Sequence, residues 1–154
     1  MMTNELIYKR AKIYFSIEEL VSKKVFKKYG ERSWKFLDPE LLHTMVVIRE
    51  GLGKKITVNT WKWGGRFSQR GLRSNLDSIF MGKFRKGRMY LSAHVLGKGI
   101  DFDVEGMSAT EVRMWLKGVA KELPYKIRLE DGVNWCHLDV IWEAHNPKVY
   151  IFKP

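Results

Sequence analysis

Residues 125–142, YKIRLEDGVNWCHLDVIW, restrict the possible folds more than any other stretch of the chain. Two runs alternate apolar and polar residues around the turn EDGVN, and a side-chain period of two marks a half-buried strand. In the first run Tyr125, Ile127 and Leu129 share one face, and Lys126, Arg128 and Glu130 the other. In the second, Cys136, Leu138, Val140 and Trp142 form the apolar set. If the apolar sets face a core, His137 and Asp139 are driven together onto the opposite face. A further strand is expected over KVYIF, 148–152, and a short one over Ile56–Thr60, which is rich in β-branched residues.

Three helices are legible from their ends. The first is expected over Ser16–Tyr29, with Ser16 and Glu19 as a capping box, Leu20, Val21 and Phe26 on an apolar stripe, and Gly30 as the stop. The lysine pairs 23–24 and 27–28 form its solvent face. A second begins at Asp38 as N-cap with Pro39 in the first turn and stops at Gly51; His43 is an ordinary residue within it. A third opens at Ser108, with Glu111 as box partner, carries Val112, Trp115, Leu116, Val119 and Leu123 at helical spacing, and is closed by Pro124. Gly64-Gly65 and the polar residues through Asn75 read as loop, as does the basic stretch MGKFRKGR, 81–88.

These elements predict a single compact α+β domain, an antiparallel sheet with helices packed against it. Its N-terminal helical part spans about 1–52 and its core about 56–152. A length of 154 residues with 45% hydrophobic content suffices for one core. The single cysteine, Cys136, excludes an intrachain disulfide. No apolar run is long enough to span a bilayer. The first residues lack the pattern of a signal peptide, so synthesis in the cytoplasm is expected. A net charge of +11 points to an anionic partner or surface.

The stretch LSAHVLGKGIDFDVEG, 91–106, gathers His94, Gly97, Gly99, Asp101 and Asp103. Glycines between a histidine and an aspartate let the backbone turn tightly, and His137 on the polar face of the late strand can join them. Two histidines and a carboxylate make a three-ligand set of the kind used by catalytic zinc, which keeps a fourth position open. A surface hydrogen bond between His94 and Asp101 is the plainer alternative on spacing alone.

SAHVLGKGIDF resembles the Ser-x-His-x-x-Gly-x-Ala-x-Asp signature of the peptidase M15 family, the zinc D-Ala-D-Ala carboxypeptidases and phage L-Ala-D-Glu endopeptidases. These share their metal-site architecture with Hedgehog N-terminal domains. Ser92, His94, Gly97 and Asp101 match, and Gly99 stands where alanine is usual. WCHLDV resembles the later segment that supplies the third ligand, His137, and GLRSN the Gly-Tyr-Arg-Ser element, with Leu72 in place of tyrosine. The resemblance covers roughly residues 60–142. It implies a Hedgehog/DD-peptidase-like fold and a zinc ion on His94, Asp101 and His137 that activates water and polarises a scissile peptide carbonyl. It also implies Arg73 as the arginine that faces the substrate, with Arg70 a lesser candidate for that duty.

A peptidase of this kind needs an acidic side chain to move the proton. Family members often carry it three residues before the last histidine, where this chain has Asn134, which cannot be a base. Glu130 is the first alternative, by strand parity; Asp131, at a Hedgehog-like spacing, is the second; Asp139 is the third. Asp139 fits better as an acceptor that orients His137, and Asp103, which shares the parity of Asp101, fits a similar role. Ser92 either meets substrate or holds its loop, and Trp135 is expected at the cleft.

The expected function is therefore a zinc-dependent peptidase of peptidoglycan stem peptides or crosslinks, phage or prophage encoded, monomeric, and held to an anionic cell envelope by its basic surface. It would reach the wall after release from the host cytoplasm or from a phage particle. One alternative is a zinc-binding structural domain, such as a virion component, that has lost its base. A basic nucleic-acid-binding module is the other; Lys and Arg spread over four segments without a nucleic-acid motif argue against it.

Overall fold

The computed structural model describes residues 2–154, which form one α+β domain. Six α-helices, α1 (Asn4–Tyr14), α2 (Ile17–Leu20), α3 (Lys23–Tyr29), α4 (Pro39–Leu52), α5 (Ser78–Arg85) and α6 (Ala109–Gly118), accompany a five-stranded sheet. Its strands are β1 (Ile56–Thr57), β2 (Gly99–Val104), β3 (Ile127–Glu130), β4 (Cys136–Asp139) and β5 (Val149–Phe152), in the order β1-β2-β4-β3-β5. No helix of the described residues is long and apolar enough to cross a membrane.

The alternation in the C-terminal third does set the sheet. Ile127, Leu129, Cys136 and Leu138 are buried with Ile100 and Phe102 of β2 in a core shared with α6 and the N-terminal helices. The sheet is mixed, however, and not antiparallel throughout: β5 pairs with β3 in parallel. The chain reverses after β4 and steps over β3, so its last strand runs in the direction of the strand it joins. Strand β4 also ends at Asp139, leaving Trp142 exposed instead of inward. The Trp142 indole N–H reaches Glu40 at 3.3 Å.

The helix expected over Ser16–Tyr29 breaks in two. Its capping box at Ser16 and Glu19 is present, but Val21 and Ser22 turn away to pair with Leu72, whose amide bonds Leu20 and whose carbonyl accepts from Ser22 at 2.9 Å. Ser22 then caps α3, accepting from Val25. Asp38 caps α4 as expected, but α4 passes Gly51 and stops at Gly53, which is left-handed. Gly51 instead makes room for Trp115, which lies about 3.0 Å from where its Cβ would stand. The box of Ser108 and Glu111 opens α6, which ends at Gly118, ahead of Pro124. Two helices escape the sequence signals, α1 and α5; the latter occupies the stretch expected to be a basic loop.

The N-terminal part is not a separate layer but a brace for the later loops. The amide of Asp38 bonds the carbonyl of Gly97 at 2.9 Å, and Lys98 reaches the Asp38 carboxylate at 2.5 Å. Gly97 has φ +69°, and a Cβ there would stand 1.9 Å from the carbonyl oxygen of Phe36. Gly97→Ala should thus destabilise the protein by roughly 2–4 kcal/mol, since both a left-handed conformation and backbone overlap oppose it. Chemical denaturation measures this; a midpoint unchanged from the parent would refute the close packing of this turn.

Candidate metal centre

The second face of the sheet carries the polar set, and its register aligns it. On β2 and β4, Asp101 lies opposite His137, and Gly99 opposite Asp139. Gly99 admits no side chain, because its Cβ would lie 2.5 Å from that of Ala93. The turn 92–97 therefore presses onto the sheet and delivers His94. Ser92 shapes this turn: its carbonyl accepts from Val95 and Leu96, and its hydroxyl from Val95.

Segment 70–73 completes the site. The Asp101 amide bonds the carbonyl of Arg70 at 2.6 Å, and that of Arg73 the carbonyl of His94 at 3.2 Å. Gly71 between them is obligatory, since a Cβ would fall 2.0 Å from the carbonyl oxygen of Leu20. Asn59, fully buried, accepts from the Arg70 amide and donates to the carbonyl of Val21.

His94, Asp101 and His137 converge, with one potential ligand atom from each lying within 4.8 Å of the others. Both histidines are buried. Asp101 Oδ1 is 2.8 Å from His137 Nδ1, and Oδ2 is 3.3 Å from His94 Nε2. The far nitrogens are committed elsewhere. His94 Nδ1 donates to the carbonyl of Gly71 at 2.9 Å, and His137 Nε2 to Asp139 Oδ2 at 3.0 Å. The Gly71 carbonyl fixes the His94 tautomer, turning its Nε2 lone pair onto Asp101, and His137, between Asp101 and Asp139, must as a neutral ring turn one lone pair onto a carboxylate. Only a cation relieves that confrontation: protons on the imidazoles, or a metal ion. Two imidazole nitrogens and a carboxylate suit a divalent transition metal.

The electrostatics of the metal-free site run the same way. Burial lowers the affinity of His137 for its proton, but hydrogen bonds to Asp101 and Asp139 outweigh it and raise the pKa to about 9. Burial pushes the Asp101 carboxyl up, yet His137 and His94 hold it well below the usual carboxylate range. Asp139 is likewise lowered: its burial is outweighed by His137 and by Arg128, which grips both oxygens at 2.8 and 3.0 Å.

A groove of about 390 Å³ opens beside Asp101, with Arg70, Arg73, Asp103, Asn134 and Trp135 among its walls. Arg73 is buried, forms no ion pair among the described residues, and its Nε has no hydrogen-bond partner. Arg70 differs, being paired with Asp103 at 2.8 Å and stacked 4.1 Å over Phe67. Trp135 sits half-exposed at the rim. Ser92 is not among the groove's walls.

The three acidic candidates separate. Asp139 is fully buried behind His137 and serves it as acceptor. By alternation along β3, Glu130 shares the polar face of Arg128, opposite to buried Leu129, and it is not among the groove's walls. Asp131 lies on the α6 side, in a second cavity with Val112 and Cys136, its carboxylate 3.9 Å from Arg113. Arg113 was not singled out in the sequence. It is buried and donates to the carbonyls of Glu130, Val133 and Trp135, so one side chain of α6 holds the whole β3–β4 turn. Arg128 was visible only as a residue sharing the parity of Glu130.

No protein-family model, curated protein or solved structure matches the chain.

Metal uptake should be linked to protons. In the metal-free chain His137 stays protonated up to about pH 9, so its stabilising contribution is full below the ordinary value of 6.5 and is lost as pH rises through 9. A metal must displace that proton. Calorimetric titration with zinc at neutral pH should show proton release, and affinity should weaken roughly tenfold per pH unit on acidification. His137→Ala should abolish the uptake; stoichiometric binding by that variant would place the ion elsewhere.

Proposed function

We propose that the chain is a zinc-dependent peptidase acting on peptidoglycan stem peptides, as its resemblance to the M15 family implies. The observation that carries this reading is the placement of Arg73. A buried guanidinium with an unpartnered Nε lines the same groove as Asp101 of the metal-binding trio. Its guanidinium forms no ion pair among the described residues and lines an open groove, and the planar fork suits a carboxylate. A peptide whose carboxylate meets Arg73 would bring a nearby carbonyl toward the metal position.

His94 Nε2, an Asp101 oxygen and His137 Nδ1 would hold the zinc. When bound, it supplies Lewis acidity toward a carbonyl and lowers the pKa of water. The protein's own groups do the rest. Asp139, clamped by Arg128, holds His137 by its Nε2. Glu130, which strand alternation puts on the polar face, would take the proton of the attacking water and return it to the leaving nitrogen. Trp135 offers an apolar wall to the small side chains of stem peptides.

One observation favours a second reading, a metal-binding structural domain without catalysis. The only carboxylates among the groove's walls are Asp101 and Asp103, the latter paired with Arg70, and Asn134 lies there in place of an acid.

Zinc-loaded protein incubated with purified peptidoglycan decides between them, with the products read by mass spectrometry. New amino termini or released D-amino acids support the peptidase; an unchanged fragment pattern favours the structural reading. In the active case Glu130→Gln should retain fold and zinc but lose roughly 10²-fold or more in rate. Asp131→Asn should be mild. Arg73→Lys should keep zinc and lose turnover by about tenfold or more, the fork being lost while the charge remains. Full activity in Glu130→Gln would remove Glu130 from the mechanism.

A further inference from the structure

A second surface stands apart from the metal trio. Helix α5 buries none of its residues, although its start is fixed to the groove rim. Gln69 donates to the Ser78 hydroxyl at 2.8 Å and accepts from the Ile79 amide at 3.0 Å. Beyond α5 the chain reverses at Gly87, φ +65°, and Tyr90 packs edge-on against Phe80 with ring centroids 5.6 Å apart. The result is a compact projecting tip.

Its surface is both greasy and basic. Phe84 is 66% exposed, Met89 90% and Leu91 71%. Lys83, Arg85, Lys86 and Arg88 lie among them, all exposed, and no acidic residue occurs between Asp77 and Asp101. Apolar side chains at such exposure are unfavourable in water and mark contact sites when clustered. Cations interleaved with them restrict the partner to an anionic one. A soluble polyanion would satisfy the cations and leave Phe84, Met89 and Leu91 wet. A bilayer with anionic headgroups satisfies both, taking the apolar side chains below the headgroup level and the cations at it.

We propose that the tip formed by α5 and residues 86–91 docks this protein onto an anionic phospholipid surface. Because Gln69 and Ile79 belong to the groove wall, docking sets the groove close to that surface. The inference does not depend on peptidase activity, and its test reads lipid binding alone.

Sedimentation of the full chain with phosphatidylglycerol–phosphatidylcholine vesicles, against phosphatidylcholine alone, is the experiment. Binding is expected only to the anionic vesicles and should weaken with salt. The variant K83Q/R85Q/K86Q/R88Q should lose about fivefold in partitioning per cation removed. The variant F84S/M89S/L91S should lose about tenfold or more at unchanged charge. All these side chains are exposed, so both variants should fold, which circular dichroism checks. Equal binding to the two vesicle types, or wild-type partitioning by F84S/M89S/L91S, would overturn the proposal. So would tight binding to soluble polyphosphate that survives F84S/M89S/L91S, accompanied by no uptake on vesicles.

Discussion

The antiparallel register between β2 and β4 is the constraint on which the site depends. It sets Asp101 directly opposite His137, with Ile100 opposite Leu138 and Phe102 opposite Cys136 on the other face. A slip of one residue would exchange the faces, bringing Phe102 or Ile100 to the site and Asp101 into the core. The cost of burying that carboxylate among Leu129, Leu138 and Phe102 makes the slip prohibitive. The same hydrophobic pattern that folds the sheet thus aligns Asp101 with His137, two of the three side chains that could hold a metal ion, with no separate device needed to bring them together.

Alternation of charge makes the polar face tolerable once it is buried. Arg128, Asp139, His137, Asp101 and His94 follow one another at hydrogen-bond or ion-pair distance, so each anion sits between potential cations. Such a chain is stable only if complete, because removing one member strands its neighbour without water. Arg73 is the exception beside this chain, buried and lacking a countercharge. Five adjacent ionisable groups thus satisfy one another, while the Nε of the sixth has no hydrogen-bond partner at the wall of the groove.

What the sequence revealed follows from the range of the interactions involved. Caps at Ser16, Asp38 and Ser108 were readable because donor and acceptor lie two or three residues apart. The pairing of His137 with Asp139 on one face follows from strand parity alone. The break at Val21–Ser22 was hidden, since it depends on Leu72 and on Asp77, whose carboxylate accepts from Ser22 across 55 residues. Arg113 and Asn59 were hidden for the same reason, their partners being backbone groups of distant turns. Parity also failed at its natural limit. It could not say which side of the sheet Asp131 takes after the strand ends, nor that β5 would join β3 in parallel.

The N-terminal helices carry more of the site than their distance in sequence suggests. The backbone of Leu20 and Ser22 holds Leu72, which lies between Gly71, the acceptor for His94, and Arg73. The cap of α4 holds Gly97 and Lys98, which flank the return from His94 to β2. Gly71 and Gly97 are the points where each loop touches helical backbone, a would-be Cβ standing 2.0 and 1.9 Å from the carbonyl oxygens of Leu20 and Phe36. Residues 2–52 therefore act as the outer frame of the candidate metal centre, which is why the chain folds as one domain and not as a helical appendage beside a sheet.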